Sequence, residues 1–430
     1  MLRVATLNRA EASIQNRRDN TFAKPRTTHV DIPQPPYASR HASLIAMQSF
    51  FNTPVLPSLP ASVYMAGVVA FVVAAVLVLT KRWHGQFSMD PMGGVQKTHL
   101  NPTPRIGGVA IVVGVCFGYL FASVERQAIL GVVVLAGLPA FAFGLVEDVT
   151  KTVSVQARLL ATMASGVLGW WLTGVALTAV DVPFIDPLLS YGVMSVLFTA
   201  FAVGGVANAV NIVDGFNGLA SGFVVIALVG VACIAVGVGD TDLALSTLVI
   251  SAAVIGFWLI NWPWGKLFLG DGGSYFCGFA LAWSCVLLIE RNAEVTAFAP
   301  LLICVHPVTE VIFSIYRRRV RKVSPGHADR LHLHSLLMRR ALKPMLRKLF
   351  PSEPGLVQRM RNPVTGLVLA LMTLPAVLLA YWTHESTLLS ALVFVGFALG
   401  YLTVYARLVR FHWCSPFAFV LNTLPRRVQG

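Results

Sequence analysis

Residues 191–238 read YGVMSVLFTAFAVGGVANAVNIVDGFNGLASGFVVIALVGVACIAVGV. Two uncharged runs, 190–207 and 219–238, flank a short polar segment that carries Asn208, Asn211 and Asp214. Each run has the length of a bilayer crossing, roughly 20 apolar residues. Polar and charged groups at such a place are costly and are kept where they perform a task. Three further segments end apolar runs in the same way: Glu147-Asp148-Val-Thr-Lys151, Gly270-Asp271, and His327-Ala-Asp329-Arg330-Leu-His332-Leu-His334. If all four face one side of a membrane, they can form a single acidic, metal-binding and phosphate-binding site.

The composition agrees with a membrane chain. Of 430 residues, 56% are hydrophobic and only 12% charged, with mean hydropathy +0.71, whereas soluble domains carry about 25% charged residues. Six cysteines are scattered through apolar runs without a CxxC pair, which excludes a disulfide framework and a cysteine zinc site. The net charge of +14 is distributed as in a membrane topology, so no nucleic-acid partner is expected.

Runs of spanning length occur near 62–80, 106–123, 128–146, 157–176, 190–207, 219–238, 242–260, 273–289, 295–315, 364–382 and 388–406. The expected fold is therefore all-α and polytopic, with about 11 transmembrane helices. Connections after odd-numbered spans carry twenty-four Lys and Arg, and those after even-numbered spans carry two, Arg126 and Arg291. By the positive-inside rule, odd-span exits lie in the cytoplasm and the N-terminus outside. All four polar segments, and any site they form, then face the cytoplasm.

The domain reading is a basic extension at 1–60, a transmembrane domain at 61–410 with a cytoplasmic loop at 316–362, and a cytoplasmic tail at 411–430. The extension carries seven Lys and Arg in residues 1–46, is polar and without periodicity, and reads as disordered. Two accounts of it stay open: translation begins near Met47, or the tail is dispensable.

Glu147, Asp148, Asp214 and Asp271 are among the few acids on the cytoplasmic side. Mg²⁺ is usually held by one or two carboxylates with substrate phosphates and water, and a further carboxylate can serve as a base. A lone acid at a helix end is more often a cap or an ion-pair partner. Asn208, Asn211 and Asp214 recur three residues apart, on one face of a helix end, which capping alone does not explain. Asn261 stands similarly before Pro263, and Gly270-Asp271-Gly272-Gly273-Ser274 enters a span as a turn able to present backbone N–H groups to phosphate.

In the loop, His327, His332 and His334 with Arg330 suit a pyrophosphate better than zinc. Arg317–Arg319 read as topology-setting charges. Lys97, His99 and Arg105 stand where an anionic lipid head could reach them.

These residues resemble the polyprenyl-phosphate N-acetylhexosamine-1-phosphate transferases, glycosyltransferase family 4. That family includes the lipid I enzyme and those that begin O-antigen, common-antigen and teichoic-acid chains. The likeness runs over roughly residues 60–410. It rests on Lys97-x-His99 with Pro102-Thr-Pro-Arg-x-Gly-Gly108, the acidic pair with Lys151, the Asn208-x-x-Asn211-x-x-Asp214-Gly215 repeat, Asn261 with Gly270-Asp271-x-Gly-Ser274, and the histidine loop.

The resemblance implies that Asp271 binds Mg²⁺ (with Mn²⁺ as a substitute) together with Asn211. It implies that Asn211 and Asp214 contact the nucleotide sugar with Asn208 and Asn261 nearby, and that Lys151 neutralises phosphate. His332 and His334, with His327 and Arg330, would orient the donor pyrophosphate; Lys97 and His99 would meet the lipid head. One of Glu147 and Asp148 would be the base, Glu147 departing from the family's Asp-Asp pair by one methylene. Ser335 replaces a further histidine, which places the loop nearer the sugar-primer branch than the lipid I branch.

The implied activity is transfer of HexNAc-1-phosphate, GlcNAc first among the candidates, from a UDP-sugar to undecaprenyl phosphate in a bacterial inner membrane, with UMP released and a glycan such as O-antigen begun. The partners are UDP-N-acetylhexosamine, undecaprenyl phosphate and the lipid bilayer, with a homodimer left open. The alternatives are a UDP-MurNAc-pentapeptide transferase and a transporter, the latter disfavoured by the absence of an internal repeat.

Overall fold

The computed structural model describes residues 59–90, 102–322 and 331–410. Among these the chain is almost wholly helical, as expected for a polytopic membrane protein. The helices that matter for the site are α1 (Ala61–Leu79), α2 (Gly107–Leu120), α3 (Val124–Thr150), α4 (Val155–Thr173), α5 (Gly192–Val213), α6 (Leu219–Gly237), α7 (Thr241–Asn261), α8 (Gly270–Arg291), α9 (Val305–Val320), α10 (Pro354–Leu371), α11 (Leu374–Thr383) and α12 (Thr387–Val409). The only strand pairing described joins Met89–Asp90 to Thr103–Pro104.

Eight stretches among the described residues are long and apolar enough to cross a membrane: α1, α3, α5, α6, α7, α8, the pair α10–α11, and α12. The other three expected runs also fall on helix. The run 106–123 becomes the 14-residue α2, and 157–176 becomes α4. The run 295–315 is divided between a six-residue helix, Phe298–Ile303, and α9.

Local chemistry sets the helix ends. Ser154 caps α4 by accepting from the Ala157 amide at 3.2 Å, and Asp240 caps α7 by accepting from Leu243, both preferred N-cap residues. Pro263 follows the end of α7, where a residue without an N–H cannot continue the ladder. α3 closes on Lys151, which adopts a left-handed conformation (φ 59°) and returns its N–H to the Glu147 carbonyl.

α8 is the axis of the protein, with every residue from Gly270 to Leu288 buried. A helix apolar all round must be enclosed by others, and α3, α5, α2 and α6 pack around it. The approach of α3 is close: a Cβ on Gly144 would stand 2.5 Å from the Gly272 nitrogen and 2.6 Å from the Asp271 carbonyl carbon. By contrast, α12 exposes Leu388, Leu389, Leu392, Val395 and Leu399, a face that suits lipid rather than water.

Candidate active site

The site is assembled where the C-terminal ends of α3 and α5 meet the N-terminal ends of α2, α4 and α8. Its foundation is Asp148. One carboxylate oxygen accepts from the Asp271 amide and the other from the Gly272 amide, both at 2.9 Å. This last turn of α3 thus caps the first turn of α8, where orphan N–H groups and the helix dipole favour an anion. Gly270 adopts φ +76°, and a side chain there would run into the Asp148 carboxylate. The glycine is what lets the two helices meet.

Asp271, held by that turn, sits among cations. Arg105 Nη2 lies 3.2 Å from its Oδ1 and 3.5 Å from Asp148. Arg158, from the first turn of α4, bonds to its other oxygen and lies 4.0 Å from Glu147. Arg105 reaches this place because residues 104–108 run beside 268–269 through backbone bonds from Phe268 to Pro104, Gly107 to Phe268 and Gly108 to Leu269. The Pro- and Gly-rich stretch is therefore a backbone brace for the head of α8.

From α5, Asn211 donates to Asp271 Oδ1 at 3.1 Å and to Ser274 Oγ at 2.8 Å. Glu147 is less enclosed than Asp148, with one oxygen accepting from the Val153 amide. Lys151 Nζ donates to the Asp148 carbonyl.

Asp214 ends α5, half-buried. Burial pushes its carboxyl up to about 7, against the pull of Arg105 and with the help of the Asp271 and Asp148 carboxylates. The next residue, Gly215, lies under the His334 ring, whose Nε2 would stand 2.9 Å from an added Cβ. Phe216 meets the same ring edge-on, centroids 5.4 Å apart. His332 stacks on His334 at 5.3 Å. The described part of the histidine loop thus rests on the turn after α5, and there it meets the other three polar segments at one end of the bundle.

Two of the expected substrate residues face inward. Asn261 accepts from the Gly218 amide at 2.6 Å and donates to the Leu267 carbonyl at 2.7 Å, so its amide shapes the turns before α6 and α8. Asn208 donates to Thr162 Oγ1 and the Gly204 carbonyl, joining α5 to α4. Lys97, His99, His327 and Arg330 lie outside the described residues.

The motifs did not single out Arg158, Glu310, Asn362 or Tyr401. Asn362 accepts from the Asn217 amide and steadies the turn after Asp214. Nor is Arg317 only a topology-setting charge: it is buried, donates to Tyr405 at 3.2 Å and lies over the Phe313 ring.

Among the described residues no group of three or more His, Cys, Asp or Glu side chains is disposed to hold a metal. One carboxylate, Asp271, with the neighbouring Asn211 amide, fits Mg²⁺ completed by substrate oxygens and water, and does not fit a self-sufficient zinc site.

Taken together, a polytopic helical membrane protein presents carboxylates, guanidinium groups and stacked imidazoles at one end of its bundle, an arrangement suited to polyanionic substrates at a membrane surface. Residues 129–289 match the model of glycosyl transferase family 4.

The chain is 29% identical over 279 residues to the "Probable undecaprenyl-phosphate N-acetylglucosaminyl 1-phosphate transferase" of Bacillus subtilis (strain 168), covering 63% of this chain and 77% of that protein. It is 29% identical over 249 residues to the "Undecaprenyl-phosphate alpha-N-acetylglucosaminyl 1-phosphate transferase" of Yersinia pestis, with 57% and 68% covered. It is 26% identical over 283 residues to the "Phospho-N-acetylmuramoyl-pentapeptide-transferase" of Clostridium perfringens (strain 13 / Type A), with 62% and 88% covered. These relatives are phosphoglycosyl transferases, and the family read from the motifs is borne out.

Proposed function

We propose that this protein transfers HexNAc-1-phosphate, GlcNAc-1-phosphate first among the candidates, from a UDP-sugar to undecaprenyl phosphate at the cytoplasmic face of a bacterial inner membrane. A phosphate oxygen of the lipid forms a bond to the β-phosphorus of the donor. The bridging oxygen to the α-phosphorus leaves with UMP, and the product is a polyprenyl-pyrophosphoryl sugar that begins a cell-envelope glycan. The observation that carries this reading is the convergence on Asp271 of Asp148, Asn211, Arg105 and Arg158 at the head of α8.

The residues divide the work. Asp148, saturated by two amides and buried, fixes the head of α8. Glu147, more accessible, is the carboxylate placed to meet the acceptor phosphate. Arg105 and Arg158 are positioned to exchange carboxylate partners for donor phosphate oxygens, as guanidinium groups do well. Asp214 and Asn211 face the nucleotide sugar, and His332 and His334 its pyrophosphate. Asp271 with Asn211 would hold Mg²⁺, which when bound neutralises charge on the pyrophosphate and the departing UMP.

The purified protein should move radiolabel from UDP-GlcNAc into the organic phase with undecaprenyl phosphate and Mg²⁺, and added UMP should reverse it. UDP-MurNAc-pentapeptide, supplied in parallel, separates the lipid I reaction. No transfer from any UDP-HexNAc refutes the proposal.

A further inference from the structure

The apolar run 295–315 contains a single acid, Glu310. It lies on α9 with no exposed surface, a place where an unpaired carboxylate is strongly unfavourable. Its partners come from two other parts of the chain. One oxygen meets His332 Nδ1 at 2.8 Å. The other accepts from the Leu333 amide at 3.1 Å and from the Tyr401 hydroxyl of α12 at 2.8 Å.

A carboxylate only accepts, so His332 must carry its proton on Nδ1, which leaves Nε2 as the ring's remaining polar atom. The ring plane is fixed in turn. His332 lies nearly parallel to His334, 14° apart, and His334 is wedged against Gly215 and Phe216 beside Asp214. The acid is thus joined to the candidate site through two imidazoles. A purely architectural acid would have no need to select a histidine tautomer or to seize the first amide of the loop helix Leu333–Leu337.

We propose that Glu310 is a positioning residue for the nucleotide-sugar donor: it sets the tautomer and ring plane of His332 and, through the stacked pair, holds His334 against the turn that bears Asp214. The inference rests on the transferase reading and assigns the binding of the donor's pyrophosphate to a part of the fold that ties α9, the loop and α12 together. Tyr401 is the second tether of the same carboxylate.

Glu310→Gln keeps the size but turns one acceptor into a donor, which faces either the His332 N–H or the Leu333 and Tyr401 donors. In the purified full-length protein, KM for UDP-GlcNAc should rise at least about tenfold while kcat falls no more than about threefold, the pattern of lost donor positioning. Glu310→Asp should recover part of the loss, and Tyr401→Phe should raise KM by about two- to threefold. Hydrogen exchange across residues 331–337 should quicken in Glu310→Gln, a readout independent of activity.

An active wild-type enzyme whose Glu310→Gln variant keeps its KM, or loses kcat alone, overturns the proposal. If that variant does not fold, Tyr401→Phe decides: unchanged KM and unchanged exchange overturn it equally. A wild-type protein that transfers nothing refutes the transferase reading instead, and the exchange arm then still reports whether Glu310 holds the loop.

Discussion

Gly144→Ala should disable the enzyme without unfolding it. The new methyl group would stand 2.5 Å from the Gly272 nitrogen and 2.6 Å from the Asp271 carbonyl carbon, both backbone atoms of α8 that no side-chain rotation can clear. Restoring an ordinary 3.4 Å contact moves the head of α8 by about 0.9 Å relative to α3, because close-packed interiors transmit such strain. Overpacking of this kind costs about 1–3 kcal/mol of stability.

The same shift slides the Asp271 and Gly272 amides off the Asp148 carboxylate and carries Asp271 away from Asn211 and Arg105. Misplacing a reacting group by ~1 Å costs about 10²-fold in rate, or about 2.7 kcal/mol of barrier. The assay is transfer from UDP-GlcNAc to undecaprenyl phosphate, read beside a thermal melt in the same detergent. Gly131→Ala is the control: it lies on the same helix with its nearest neighbour, Tyr119, at an ordinary 3.4 Å, so its activity should match the wild type. A Gly144→Ala enzyme within threefold of wild-type activity at unchanged melting temperature would refute the claim that the α3–α8 approach sets the site.

Further outcomes are expected elsewhere. Asp271→Asn should lower turnover at least about 10³-fold with normal expression, since it removes the carboxylate proposed to hold Mg²⁺; retained activity counts against that role. Glu147→Asp should keep more activity than Glu147→Gln if the carboxylate works on the acceptor phosphate, and equal losses would assign it position alone.

Asp214 gives a pH signature. Its folded value is raised from 3.8 to about 7, so the folded form holds a proton that the unfolded form has released, and this contribution to stability is lost as pH rises toward 7. In metal-free protein, the fall in melting temperature over that window should be shallower in Asp214→Asn than in the wild type; identical slopes would contradict the shift.

Much of this was legible in the sequence, and for identifiable reasons. Spanning helices announce themselves because lipid leaves the backbone no alternative partner, and polar residues that end such runs stand out against them. Hence Glu147, Asp148, Asn211, Asp214, Asp271, His332 and His334 could be named and are found together. Their division of labour was less visible, because it depends on direction. Nothing in the spacing says that Asp148 turns toward the amides of α8 while Glu147 does not, or that Asn261 and Asn208 spend their amides on protein groups.

In the sequence Arg158 is one more of the Lys and Arg counted near the membrane surface, since only the fold swings the first turn of α4 against Asp271. Glu310 could have been found. It is the one acid in the interior of an apolar run, and the cost that marks acids at the ends of runs is greater in their middle. The 295–315 run also shows the limit of hydropathy, which does not reveal that a proline-bearing segment divides into two helices.

The central claim is that a sugar phosphate moves, and not the sugar alone. UDP-GlcNAc labelled with ³²P at the β-phosphate distinguishes the two. With undecaprenyl phosphate, Mg²⁺ and the purified enzyme, the label should appear in the lipid while unlabelled UMP accumulates; label left in UDP, with an unlabelled glycolipid, would contradict the account.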